Sequence, residues 1–348
     1  MTDQPTYTIM ITSYLEPEYV ARIRAVSPRL HVIYEPELMA PARYHADHYN
    51  VIVRTPEQEA RWRELLGQAD ILFDFDPTHR EDLPELAPQL RWIQASSAGI
   101  GQFIRRARYD RRLPHAIFTT GSGVHARPLA DFCLMSMLVF AKGLNRIIVN
   151  QRRKHWERYA GSELGGRTLG IVGVGKIGAE VARMAQFMGM TVLGVKRTVA
   201  EIDPARLHLN ELYTPDGLHE VLRRSEYLVL ITPHTDETEH MIGAAELALL
   251  PQGAVLINIG RGALIDGPAL IAALQSGQLG GAALDVFDTE PLPAESPLWD
   301  MPNVLVSPHS GSTSDRENER LTELFCENLR RFLAGEPLLN VLNLETLY

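Results

Sequence analysis

Residues 169–178 read Leu-Gly-Ile-Val-Gly-Val-Gly-Lys-Ile-Gly, an apolar run closed by three glycines at the spacing G-x-G-x-x-G. Each glycine has a steric job that a side chain would prevent. Gly173 permits a tight turn, Gly175 lets a bound diphosphate approach the backbone, and Gly178 lets a helix pack closely on the strand before it. The apolar run reads as a buried strand, and the stretch from Lys176 to Met188 reads as a helix. Free N–H groups at a helix start, with the positive end of the peptide dipole, attract phosphate. Strand, turn, helix and following strand thus stand where a dinucleotide site requires them, and Gly173, Gly175, Lys176, Ile177 and Gly178 are its expected contacts.

Such a turn belongs to an α/β chain, and the rest of the sequence agrees. Short β-branched runs alternate with helical patterns almost throughout, as in parallel sheets covered by helices. At 348 residues the chain exceeds what one hydrophobic core serves, so two domains are expected. One block has strand candidates at Thr8–Ile11, His31–Tyr34, Ile71–Phe73, Trp92–Ala95 and Ile117–Thr119, and reads as a small flavodoxin-type layer. The other follows a long helix, Pro128–Lys142, and a polar connector, Gln151–Arg167. Its strand candidates are Leu169–Val172, Thr191–Val195, Tyr227–Ile231, Ala254–Ile257, Ala282–Val286 and Val304–Val306, six in all, enough for a doubly wound nucleotide-binding sheet. A final helix at about Asp315–Leu333, acidic at its start and basic at its end, is expected to return to the first block. The expected fold is therefore α/β with two doubly wound parallel-sheet domains, a Rossmann cofactor domain inserted in a flavodoxin-like substrate domain. Residues 1–124 with 313–348 form the substrate domain in this reading, and residues 125–312 the dinucleotide-binding domain.

Charge and composition narrow the partners. A net charge of -9 argues against nucleic acid or a membrane surface, which need a strongly basic face. The arginine-rich stretches Arg105–Arg112 and Arg152–Lys154 read as solvated helix faces. The apolar run Phe132–Ala141 is shorter than the roughly 20 residues of a membrane span. Met1–Ile11 lacks the pattern of an export signal, and the two cysteines, Cys133 and Cys326, sit far apart in apolar helical stretches. Reduced, buried thiols in the cytoplasm are expected, with no cysteine-based zinc site. His45-Ala-Asp-His48 lacks a third metal ligand and reads as a polar loop.

The strand after the glycine turn bears on which dinucleotide is bound. An acidic residue at its end would bond the ribose 2′-hydroxyl and repel a 2′-phosphate. Here the chain reads Gly194-Val-Lys-Arg-Thr198, so Lys196, Arg197 and Thr198 offer two cations and a hydroxyl to a phosphate. NADP is the expected cofactor, with NAD as the alternative.

Three later segments each place an ionisable residue just beyond an expected strand, at the edge where ligands of such sheets bind. They are Ile257-Asn-Ile-Gly-Arg-Gly262, Leu284-Asp-Val-Phe-Asp-Thr-Glu-Pro291 and Val306-Ser-Pro-His-Ser-Gly311. With the glycine turn, they closely resemble the D-isomer-specific 2-hydroxyacid dehydrogenases, from about Ala95 to Gly311. The resemblance implies reduction of a 2-oxo acid to a D-2-hydroxy acid by Arg261, Glu290 and His309. Ketone reduction needs a hydride, a proton for the developing alkoxide, and a cation to orient the substrate. His309 suits the proton donor, since imidazole titrates near neutral pH. Glu290 would bond its far ring nitrogen, fixing the tautomer and favouring the charged ring, and Arg261 would hold carboxylate and carbonyl oxygens with its planar fork. Formate-oxidising members carry glutamine where this chain has Glu290, which argues against formate.

Gln94-Ala-Ser-Ser-Ala-Gly-Ile100 resembles the family's loop whose backbone N–H groups hold the substrate carboxylate, at Ser97, Ala98 and Gly99. Gly101 departs from the acidic or polar residue expected next. Thr232, Pro233, Ile259, Asp285 and Gly311 fall at cofactor-lining positions, and His125 reads as structural. Ser310 and Gly311 replace a more usual apolar–small pair. The resemblance also implies a homodimer through the helix Pro128–Lys142 and a substrate bridging the two domains. Two other readings stay open on sequence: a dinucleotide-sensing protein like the family's corepressors, and a phosphite dehydrogenase. The substrate side-chain pocket, around Leu38 to His48, lies where the resemblance is poorest.

Overall fold

The computed structural model describes residues 5–345, so the outer limits of the expected substrate domain, 1 and 348, lie outside the described residues. The chain divides into two compact units, one running to His125 and resuming at Thr313, the other Ala126–Ser312. The first holds a parallel sheet of β1 (Tyr7–Ile11), β2 (Leu30–Ile33), β3 (Ile71–Phe73), β4 (Trp92–Gln94) and β5 (Ile117–Thr119), in the order β2-β1-β3-β4-β5. That is the flavodoxin-like order.

Both faces of this sheet are covered, which is why its strands are apolar at successive positions rather than at alternate ones. Met10, Leu72 and Ile93 point to one face and pack with Trp62, Leu66 and Leu83. Ile9, Ile11, Phe73 and Trp92 point to the other and meet the helix Glu317–Ala334. That helix returns to this unit because Leu321, Phe325 and Leu329, one turn apart, form a buried stripe along it. The Phe325 ring lies 5.2 Å from Phe73 and 5.0 Å from Trp92, centroid to centroid. Burying such a ring stabilises by about 1.5–3 kcal/mol.

The second unit is a parallel sheet of β6 (Thr168–Val172), β7 (Thr191–Val195), β8 (Glu211–Tyr213), β9 (Tyr227–Leu230), β10 (Ala254–Asn258), β11 (Leu279–Leu284) and β12 (Val304–Val306). Its order is β12-β11-β10-β9-β6-β7-β8, a doubly wound sheet whose direction of winding reverses between β6 and β9. Seven strands stand where six were expected. The extra one, β8, is a half-buried edge strand held by polar contacts: Arg224 donates to Glu211 at 2.7 Å and keeps its carboxyl down at about 2. An apolar run therefore does not mark it.

β11 also differs from expectation, spanning Leu279–Leu284 instead of 282–286. Its Gly280-Gly281 pair lies outside the expected span, and a Cβ on Gly281 would lie 2.3 Å from the Phe140 ring, so the strand needs glycine there to admit that ring. The helix Ala126–Lys142 starts two residues before Pro128, with the proline in its first turn. After Gly143, at φ 63°, a second helix Leu144–Arg152 bends away by 62° and occupies the start of the expected connector. Among the described residues no single helix is long and apolar enough to cross a membrane.

Candidate active site

The carboxyl ends of β6, β9, β10, β11 and β12 carry the residues that the sequence motifs single out. After β6, Gly173 adopts φ 103°, and a Cβ there would lie 2.8 Å from the Thr232 backbone nitrogen. The turn after β9 therefore packs directly on the glycine turn. A Cβ on Gly178 would sit 2.9 Å from the Gly173 carbonyl oxygen, so the helix Lys176–Phe187 closes on the same turn. At Gly175 the added carbon would meet nothing within 4 Å. Two glycines are thus needed for packing, and the third leaves open space at a helix N-terminus, which fits the diphosphate of a dinucleotide. From the end of β7, the Lys196 ammonium donates to the Val174 carbonyl at 2.9 Å, laying its stem along the turn, while Arg197 and Thr198 are exposed.

β10 ends in Asn258, whose side chain organises the three residues after it. Its oxygen accepts from the Gly260 N–H at 3.1 Å and its amide donates to the Arg261 carbonyl at 2.9 Å. Arg261 is held extended, with one guanidinium nitrogen donating to the Gly260 carbonyl at 2.7 Å. A Cβ on Gly262 would fall 2.0 Å from the Phe287 carbonyl carbon and 2.2 Å from the Asp288 nitrogen. The loop after β10 therefore lies directly against the loop after β11.

Asp285, 2% exposed, opens that second loop and clamps the one after β12. One of its oxygens accepts from the Ser307 hydroxyl at 2.5 Å and from the Ser310 and Gly311 N–H groups, each at 2.9 Å. Glycine at 311 lets the loop pack closely on this carboxylate, since a Cβ would stand 2.9 Å from the other Asp285 oxygen. Between these anchors His309 sits in the left-handed region at φ 54°. Its Nδ1 lies 2.7 Å from a Glu290 carboxylate oxygen, and the second Glu290 oxygen accepts from the Phe287 N–H at 3.0 Å. With Nδ1–H donating to a carboxylate, the proton exchanged with a ligand is the one on Nε2. The loops carrying Arg261, Glu290 and His309 are thus joined in series: the first packs on Phe287-Asp288, Phe287 holds Glu290, and Glu290 holds the imidazole.

A family model described as the D-isomer specific 2-hydroxyacid dehydrogenase NAD binding domain matches residues 134–311, half of the chain. A glyoxylate reductase of Korarchaeum cryptofilum is 35% identical over 75% of this chain and 78% of its own length. The chain belongs to the D-isomer-specific 2-hydroxyacid dehydrogenase family. It is 30% identical to a D-3-phosphoglycerate dehydrogenase of Methanocaldococcus jannaschii over 81% of its length, and the match spans only 53%, about half, of that longer protein. Among solved structures, an NADPH-dependent glyoxylate/hydroxypyruvate reductase of Sinorhizobium meliloti, in complex with NADP and sulfate, superposes with a TM-score of 0.76. The two share 26% identity, and the match covers 99% of this chain and all of the other.

In the first unit of this 2-hydroxyacid dehydrogenase, the loop after β4 is pinned from below. Asp74, buried and itself at φ 69°, accepts from the Ser96 N–H at 3.2 Å and the Ser96 hydroxyl at 2.7 Å. Ser97 comes next: its carbonyl accepts from the Gly121 N–H at 3.0 Å, and its hydroxyl accepts from the Gly99 N–H at 3.2 Å. Ala98 and Gly99 are exposed, and Gly101 begins the helix Gly101–Arg106. His125 is paired with Glu317 at 3.0 Å, inside the same unit.

The His45–His48 segment is committed elsewhere. Asp47 takes a bidentate grip from Arg43, at 2.7 and 2.9 Å, which holds its carboxyl down at about 2. His48 meets the Ser13 hydroxyl at 2.9 Å. Among the described residues no group of three or more His, Cys, Asp or Glu could hold a metal ion. Sequence reasoning passed over two residues, Asn258 and Asp74. Each is a lone polar residue at or just beyond the end of a fully buried strand, and that placement was the available signal.

Proposed function

We propose that this dehydrogenase reduces a small 2-oxo acid to the D-2-hydroxy acid with NADPH, using His309 as proton donor. The observation that carries the reading is the 2.7 Å contact between His309 and Glu290 on a loop clamped by Asp285. An imidazole fixed in this way presents Nε2 in one orientation, as general acid catalysis requires. The reduced nicotinamide, when bound, supplies the hydride to the carbonyl carbon. His309 gives the Nε2 proton to the carbonyl oxygen, so the ketone gains one hydride and one proton. Arg261 holds the carboxylate and the polarised carbonyl, and the loop Ser97-Ala98-Gly99 of the other unit is assigned to binding a substrate carboxylate through backbone N–H groups. Gly173, Gly175, Lys176, Ile177 and Gly178 cradle the diphosphate, while Thr232, Pro233, Ile259, Asp285 and Gly311 line the path to the nicotinamide.

Preference for NADPH rests on Lys196, Arg197 and Thr198 at the end of β7, where an acid would favour NAD. The Sinorhizobium meliloti relative, an NADP complex, supports it. Glyoxylate, hydroxypyruvate, pyruvate and bulkier 2-oxo acids should be assayed with both cofactors. The expected result is turnover with kcat/KM at least about tenfold higher for NADPH, the size of one charge-assisted phosphate contact, and loss of that margin in Arg197→Asp. Higher efficiency with NADH would refute the cofactor assignment. NADPH binding without reduction of any acid would favour a sensing protein instead.

A homodimer through the helix Ala126–Lys142 is part of the same proposal. Met135 on this helix and Leu144, Ile147, Ile148 and Val149 on the next are exposed apolar residues, more than a solvated face needs. Sedimentation should give twice the 38.9 kDa chain mass, and a monomer at high concentration would defeat this point. Two free, buried cysteines support a reducing cytoplasmic location.

A further inference from the structure

Tyr49 directly follows the segment Leu38 to His48, where the resemblance is poorest, yet its surroundings are specific. The residue before it, His48, is buried and tied to Ser13, so the backbone is fixed where Tyr49 begins. Tyr49 itself is 58% exposed. Its segment borders the loop assigned to the substrate carboxylate: His48 Nδ1 stands 3.8 Å from the same Asp74 oxygen that accepts from the Ser96 hydroxyl at 2.7 Å, one residue before Ser97. On the Tyr49 ring lies Arg80, the guanidinium carbon 5.7 Å from the centroid, within cation–π range. The Arg80 backbone is also held, its carbonyl accepting from the Tyr109 hydroxyl at 2.8 Å.

Several arginines of this unit have no carboxylate partner among the described residues, Arg91 on the Tyr7 and Phe332 rings included, and Arg80 is set on the ring of Tyr49. By contrast, Arg43, Arg61, Arg63 and Arg112 of this unit each pair with a carboxylate. Arg80 rests on an aromatic face, and among the described residues no carboxylate stands within ion-pair distance of it. Its charge is permanent and its planar fork suits a carboxylate. A cation without an acid partner, on a ring whose segment borders an anion-binding loop, is placed to meet a second negative charge on whatever that loop holds.

We infer that Tyr49 and Arg80 form the side-chain end of the substrate site and select 2-oxo acids that carry a second carboxylate. Tyr49 is the platform and Arg80 the charge. This rests on the assignment of Ser97, Ala98 and Gly99 to the first carboxylate. A neutral substrate would leave Arg80 solvated at little cost, whereas a dicarboxylate gains a charge-assisted bond.

The test compares acids of matched shape, oxaloacetate against 4-methyl-2-oxopentanoate and 2-oxoglutarate against 5-methyl-2-oxohexanoate, by kcat/KM with NADPH. The wild type should favour the dicarboxylate of each pair. Arg80→Gln should lower that ratio by roughly tenfold to a hundredfold, mainly through KM, as loss of one charge-assisted bond implies. Tyr49→Leu should lower it less, by releasing the platform. A wild type preferring the neutral partner, or a ratio unchanged in Arg80→Gln, would overturn the inference. Glyoxylate, which has no side chain, separates the two levels. Wild-type reduction of glyoxylate with no dicarboxylate preference sinks only the Arg80 assignment, while failure to reduce any 2-oxo acid sinks the proposed function with it.

Discussion

Replacing His309 with alanine should lower kcat for the best 2-oxo acid by about 10²–10⁴-fold, the usual contribution of a positioned general acid. The loss should fall on kcat more than on cofactor affinity, because the loop bearing His309 is anchored on both sides by Asp285 and not by the imidazole. NADPH dissociation constants, from cofactor fluorescence, should therefore stay within about threefold of wild type, less than about 0.7 kcal/mol. Glu290→Gln sharpens the test. The single amide oxygen can accept from the ring or from Phe287 but not from both, since the two contacts use different carboxylate oxygens, and the negative charge facing the imidazole is gone. Outer partners of this kind are typically worth about 10–100-fold, so the glutamine variant should lie between wild type and His309→Ala. Undiminished kcat in His309→Ala would remove the proton donor from the mechanism.

The parts of this site that were readable from sequence are local ones. A glycine turn, an arginine between two glycines and a histidine after proline each lie within a few residues of a strand end, and a parallel sheet delivers strand ends to one edge. Contacts made across the sheet were not readable. Asp285 holds Ser310 and Gly311 from 25 and 26 residues away, and nothing in its own segment says which loop it serves. Asn258 acts within three residues, on Gly260 and Arg261, but a single asparagine after an apolar run gives no direction. β8 escaped notice because Glu211 and Arg224, on separate elements, replace the apolar residues that usually mark a strand. In β11, Gly281 makes room for the Phe140 ring of a distant helix and Gly280 for the Gly253 backbone, so the start of the strand carries little apolar signal of its own. Tyr49 and Arg80 are far apart in sequence, and only the fold shows that they touch.

The glycines also allow a sharp separation of packing from binding, and the effect at Gly262 should be large. A Cβ at that position would stand 2.0 Å from the Phe287 carbonyl carbon, 2.2 Å from the Asp288 nitrogen and 2.3 Å from the Phe287 oxygen. All three are backbone atoms, so no side-chain rotation relieves the overlap and one loop has to move. The Phe287 N–H holds Glu290, and Glu290 holds His309, so displacement passes directly to the proton donor. Gly262→Ala should therefore cost about 1–3 kcal/mol in stability, as overpacking does, or roughly 2–9 °C in Tm. Misplacing a catalytic group by about 1 Å can cost 10²-fold, and kcat should fall on that scale. Gly175→Ala should do the reverse. Its added carbon meets nothing within 4 Å and its φ of -107° suits any residue, so Tm should hold while NADPH affinity drops as the methyl enters the diphosphate space. A Gly262→Ala protein with wild-type Tm and kcat would show that the loops after β10 and β11 do not meet, and the serial link from Arg261 to His309 would be broken.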